Sequence, residues 1–205
     1  MRASAFTSTA LATLVLLACQ AQSDRAHDEG DGDAAPATSA ATPAPETAPA
    51  GAAQEPALDD ATIVAIFDAA NTADIETGRL AVERGSSKAV RDFGAMLARD
   101  HQAVRKQGRD LAAKLGVTPT PPADDASARA HAEAMQALRG KSGAEFDRAF
   151  LDHEVAFHQG VIDAVNATLL PAIRNEELKA LVVKVAPAFE AHRIAADKLR
   201  SGLRA

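Results

Sequence analysis

A chain of 205 residues with 28 acidic and 22 basic side chains carries a net charge of −6, and it has no basic stripe to neutralise phosphates, so a nucleic-acid binder is excluded. Trp and Tyr are absent and Phe occurs only seven times, while Ala, Leu and Val are abundant, a composition that favours helices over a β-sandwich or barrel. The single cysteine excludes an intrachain disulfide and any CxxC metal or redox motif.

The chain opens with Arg2, an apolar run from Ala10 to Ala18, and then Cys19. This is the layout of a signal peptide over residues 1–18, too short to span a membrane as a helix. Leu16-Leu17-Ala18-Cys19 resembles a bacterial lipobox. That resemblance implies lipidation of Cys19, a membrane anchor through the lipid and, with Gln20 next, an outer-membrane protein facing the periplasm. Ordinary signal cleavage beside an incidental cysteine is the alternative. Residues 19–57 are rich in Asp, Ala, Pro and Thr and nearly lack large apolar side chains. Such a stretch buries too little apolar area to offset its ordering entropy, which predicts a disordered tether with a span of roughly 35 Å.

From residue 58 to 205 the pattern is helical. Asp59 and Asp60 cap a predicted helix to about Arg84, stopped by Gly85, with Ile63, Phe67, Ala70, Asp74, Thr77 and Ala81 along its seam. Ser86 or Ser87 caps a second helix ending near Gly116; its seam includes Val90, Gly94, Leu97, His101, Val104 and Gly108. The Pro-rich stretch Val117–Pro122 breaks the chain before a shorter helix, Ala126–Leu138. A third long helix is predicted from about Ala144 to Leu170, with Phe150, Glu154, Phe157, Val161 and Ala164 in line and Pro171 as its exit. The last starts near Asn175 and runs through Leu178, Val182, Val185, Phe189, His192, Ala196 and Leu199, with a kink expected at Pro187. The fold expected is all-α, an antiparallel four-helix bundle with a short connecting helix between helices 2 and 3.

Each long seam carries a polar residue where an apolar one belongs: Asp74, His101, Glu154 and His192, with His158 one turn beyond Glu154. A buried carboxylate or imidazole needs a partner or must become neutral. Two carboxylates and up to three imidazoles converging in a bundle suit a transition metal such as Zn, Fe, Mn or Cu. The alternative is a hydrogen-bonded Asp–His and Glu–His network that fixes helix register. If the loops near Gly85 and Pro171 share one end, the five residues lie at scattered depths, from about 17 Å for Asp74 to about 30 Å for His192. HEVAFH, residues 153–158, is not a zinc-protease motif, because its second His comes one residue late and diverges around the helix. His153 is expected at the rim, His131 exposed, and His27 in the tether.

The segments NTADIETGRLA, FGAMLARDHQAV, FDRAFLDHEVAFHQGVIDAV and LKALVVKVAPAFEAH occur in that order and resemble the bacterial envelope family known as domain of unknown function 4142. The resemblance covers residues 58–202 and implies a ferritin-like bundle in an exported protein. It also implies characteristic polar positions at Asp74, Asp100, His101, His158 and His192, with His153 and Glu154 shared by some members. It implies no activity. Ferritin-like di-iron enzymes use Glu-x-x-His pairs, and here Ala98, Val155 and Phe189 stand three residues before the histidines. Metal binding or buffering by Asp74, His101, Glu154, His158 and His192 is therefore expected ahead of redox catalysis, with a non-catalytic structural or stress-related envelope protein as the alternative.

Overall fold

The computed structural model describes residues 58–203, all helix and connecting loop, with no strand among them. The signal-like stretch, Cys19 and the segment up to residue 57 lie outside the described residues. Local chemistry sets most boundaries. Helix α1 (Asp60–Arg84) begins where the Asp59 carboxylate accepts from Thr62 N–H at 2.7 Å. Helix α2 (Lys88–Leu115) is capped by Ser87 and ends at Gly116, whose φ of 66° is left-handed and suits glycine. Helix α3 (Ala126–Arg139) follows the proline-containing loop, and α4 spans Gly143–Ala164.

Beyond α4 the chain departs from the unbroken helix that periodicity predicts. Val165–Leu169 form a π turn, and α5 is a single further turn, Leu170–Ala172. Pro171 accounts for this. It has no N–H to donate, and its ring crowds the carbonyl four residues back, so the backbone widens ahead of it and Leu170 N–H reaches Val165 O. Helix α6 (Glu176–Gly202) is capped by Asn175, whose side-chain oxygen accepts from Glu177 and Leu178 N–H, both at 3.0 Å. Pro187 lies inside α6 on its exposed side, one turn after Val183, whose carbonyl loses its helical donor.

Helix α1 packs on α2 and α4, and α6 packs on the same two. Two carboxylates fix which ends meet. Asp147, in the first turns of α4, accepts from the N–H groups of Ser86 and Ser87 at 2.7 and 2.8 Å, so α4 starts where α1 ends. Asp60, the first residue of α1, accepts from Arg174 and Asn175 N–H at 2.9 and 3.0 Å, so α6 starts where α1 starts. The segment containing α3 therefore carries the chain back along the molecule. Helices α1 and α6 run one way, α2 and α4 the other, and all four contacts are antiparallel.

This corrects the expectation that the loops near Gly85 and Pro171 share an end: they lie at opposite ends. Measured from the Gly85 end, Asp74 and His192 lie about 15 Å down, Glu154 about 17 Å, His101 about 20 Å and His158 about 23 Å. The scatter came from the wrong end, and the five residues occupy one layer. That layer divides the interior. Ile63, Phe67, Val182, Val185 and Phe189 belong to an apolar cluster on one side, and Leu97, Phe146, Phe150, Leu151 and Ala196 to another on the other side. Each large side chain so buried contributes about 1.5–3 kcal/mol, which offsets the cost of the polar layer between them.

Two glycines bring α1 and α2 together beside the layer. A Cβ on Gly78 would lie 2.6 Å from Gly94 O, and one on Gly94 would lie 2.5 Å from Gly78 O. Backbone thus packs on backbone, which holds Asp74, one turn along α1, against His101, two turns along α2. On α4 the buried stripe runs through Phe150, Glu154 and His158, while Phe157 and Ala164 of the expected seam are half-buried.

Candidate metal centre

All five sequence-derived candidates, Asp74, His101, Glu154, His158 and His192, are buried, and they meet in two overlapping groups. Potential ligand atoms of His101, His158 and His192 lie within 4.8 Å of one another, as do those of Asp74, Glu154 and His158. His101 Nε2 is 3.2 Å from His192 Nδ1 and 3.4 Å from Asp74 Oδ2, and His158 Nε2 is 3.9 Å from Asp74 Oδ1.

The outward nitrogen of each imidazole is tied to an acceptor, and this fixes which nitrogen carries hydrogen. Asn71 Nδ2 donates to Phe67 O at 2.8 Å, which leaves Asn71 Oδ1 to accept from His101 Nδ1–H at 2.9 Å. His158 Nδ1–H donates to the Glu154 carbonyl at 2.9 Å. His192 Nε2–H donates to Asp100 Oδ2 at 3.3 Å. With those hydrogens facing out, the lone pairs of His101 Nε2, His158 Nε2 and His192 Nδ1 face in. On that assignment His101 Nε2 and His192 Nδ1, 3.2 Å apart, are both acceptors.

The carboxylates add to this excess of acceptors. Asp74 Oδ1 and Oδ2, Glu154 Oε1 and Oε2, and His158 Nε2 have no hydrogen-bonding protein partner; outside the layer, only Arg84 Nε and His131 Nδ1 share that condition among the described residues. Rings of Phe189 and Phe157 stand beside the imidazoles, with Phe189 5.5 Å from His101 and 6.2 Å from His158, and Phe157 6.0 Å from His158. The layer is thus rich in acceptors, poor in donors and walled by apolar groups.

Burial shifts every titration here. It pushes Asp74 well above the usual carboxylate range, with the neighbouring Glu154 charge acting in the same direction. It pushes Glu154 up to about 7, against the opposing pull of the neighbouring Thr77 and Asp74 side chains. It pushes His101 down to about 2, helped by His158 and His192, and His158 down to about 3 against the pull of the Glu154 carbonyl. His192 is lowered by burial against the opposing pull of Asp100, and half-buried His153 is driven to about 4 by burial and His131.

These shifts predict the pH dependence of the metal-free protein. A carboxyl raised in the folded state contributes stability below its unfolded pKa, and that stability is lost as pH rises through its folded value, about 7 for Glu154. An imidazole lowered in the folded state contributes stability above its ordinary 6.5, and that stability is lost as pH falls below it. With imidazoles governing the acid side and carboxyls the alkaline side, chelator-treated protein should be most stable near pH 6.5 and weaken as pH rises through 7. Chemical denaturation at pH 5, 6.5 and 8 checks this; stability still climbing at pH 8 would contradict it.

The remaining residues fall outside the cluster. His131 is not exposed as expected: it is mostly buried, and its Nε2 bonds Glu76 Oε2 at 2.9 Å. His153 is half-buried outside the cluster and packs on Phe157, with ring centroids 5.8 Å apart. Sequence reasoning missed Asn71, the residue that orients His101. Its one signal is its place three residues before Asp74, on the same face of α1.

No functionally curated protein matches the sequence. Among solved structures, the crystal structure of a DUF305 fragment from Deinococcus radiodurans is similar, with a TM-score of 0.61 and 16% identity over 69% of this chain and 94% of that one. At that identity the likeness concerns the fold alone. The sequence profile described as domain of unknown function (DUF4142) matches residues 44–199. With most of its length matched, including every residue of the buried polar layer, the chain belongs to the DUF4142 family.

Proposed function

We propose that this protein binds one divalent transition-metal ion between Asp74, His101, Glu154, His158 and His192, in the core of a ferritin-like four-helix bundle. The observation that carries the reading is the inward convergence of three imidazole lone pairs and two partnerless carboxylates. Metal-ligating histidines characteristically donate their other ring N–H to a carbonyl or carboxylate, as all three do here. The 3.2 and 3.4 Å separations around His101 Nε2 are close to the spacing of neighbouring ligand atoms about 2.0–2.1 Å from one ion, and His158 Nε2 and Asp74 Oδ1, 3.9 Å apart, would draw in around it.

Charge decides the number of ions. One dication balances the two carboxylates and leaves three neutral imidazoles, whereas a second would leave a net charge in an apolar setting. Imidazole with carboxylate suits Zn, Fe, Mn or Cu and disfavours soft-ligand chemistry. In the competing reading protons occupy the layer, with Asp74 and Glu154 sharing them, and the network only sets helix register. Titration with zinc followed by elemental analysis separates the two. About one equivalent retained after desalting is expected; under a tenth of an equivalent, with no thermal shift, sinks the metal reading.

We further propose that the protein lies in the bacterial envelope, exported through residues 1–18 and anchored to the outer membrane by lipidated Cys19. The lipobox-like run ending at Cys19 supports this. No helix among the described residues is long and apolar enough to cross a membrane. A Cys19→Ser variant should leave the membrane fraction for the soluble one; continued membrane partitioning would refute the anchor.

A further inference from the structure

Asp100 stands where the buried layer meets solvent. His192 is the least buried of the five clustered residues, at 6% exposure against 0–2% for the others. Its outward Nε2–H is held by Asp100 Oδ2 at 3.3 Å, and the Asp100 side chain is 33% exposed. Asp100 Oδ1 pairs in turn with Arg99 at 2.8 Å, and the Arg99 side chain is 73% exposed. A line of polar atoms therefore runs from solvent through Arg99, Asp100 and His192 to His101 and Asp74.

A dication shedding its hydration water needs replacement ligands at every step, because crossing apolar packing bare is prohibitive. The clusters above and below the layer offer none. Asp100 offers a partly exposed carboxylate, and the first imidazole behind it is His192. Arg99 places a positive charge over the same carboxylate and so opposes an approaching cation.

We infer that Asp100 is the capture residue through which a divalent cation reaches the buried centre, passing the His192 ring edge to its inward Nδ1, the first ligand atom of the layer, with Arg99 a charge that slows the approach. The inference rests on the metal-binding reading above. Asp100 is a positioning residue on the path and not one of the five final ligands.

Cobalt(II) is a usable probe, because its visible absorption reports ligand exchange directly. Stopped-flow mixing with the purified protein gives association, and a chelator chase gives dissociation. Asp100→Asn should slow both rates together, by about tenfold, because a waypoint lowers the barrier in each direction. Arg99→Gln, at an exposed position, should speed association severalfold at low salt, and the gain should vanish near 1 M salt, where charges are screened beyond about 3 Å. Unchanged association with faster dissociation in Asp100→Asn would overturn the inference and leave Asp100 as an orienter of His192 alone. An Arg99→Gln variant with wild-type association at low salt would also count against it. Failure of the wild type to take up cobalt at all would overturn the metal reading itself, and this inference with it.

Discussion

Free zinc at a thousandfold excess over its dissociation constant is expected to stabilise the protein by about 4 kcal/mol, raising its melting temperature by roughly 8–16 °C. The size follows from linkage, since an ion that binds the assembled layer and not the unfolded chain adds its binding free energy to folding. Differential scanning fluorimetry on chelator-treated protein, with and without zinc, measures it. His101→Ala and His192→Ala remove two of the three inward imidazoles and should each abolish the zinc-dependent shift. His101→Ala should also lower metal-free stability by about 1–3 kcal/mol, because Asn71 Oδ1 then loses its donor. A shift that survives both changes would place the ion elsewhere.

The second large effect runs against the usual direction of core mutations. Glu154 is fully buried, and neither of its carboxylate oxygens has a hydrogen-bonding protein partner. Glu154→Leu keeps most of the volume and removes that uncompensated group. The metal-free protein should gain about 2 kcal/mol and melt roughly 4–8 °C higher. The same substitution removes a carboxylate of the proposed ligand set, so the variant should bind zinc poorly and gain little from it. More stability with less binding marks a site kept for its ligand. If Glu154→Leu instead weakens the metal-free protein, the carboxylate serves the fold, and the register reading gains.

What the sequence disclosed, and what it hid, divides along the range of the interactions concerned. Asp59, Ser87, Asn175, Gly85 and Gly116 act within a turn of where they stand, so the ends of α1, α2 and α6 could be read directly. The polar layer was legible because Asp74, His101, Glu154 and His192 interrupt apolar seams of regular period. The direction of α4 was not. It depends on Asp147 and Asp60 reaching loops 60 and 114 residues away along the chain, and no periodicity encodes that reach. Without it, five residues at one level looked scattered. Asn71 stayed hidden because a lone Asn in a helix has no pattern, and its role depends on Phe67 O fixing its amide. The π turn was invisible for a related reason, since Pro171 changes backbone width and not the apolar spacing read ahead of it.

The return of the chain through α3, which lets α4 run in the same direction as α2, has a mechanical result. It leaves two helical hairpins, α1 with α2 and α4 with α6, joined by one traversing segment. Asp74 and His101 belong to the first hairpin; Glu154, His158 and His192 belong to the second. Neither hairpin holds a complete ligand set. An ion seated among all five would work as a removable cross-link in a domain with no cysteine of its own. It would tie together stretches whose closure entropy the bare chain must otherwise meet through packing alone.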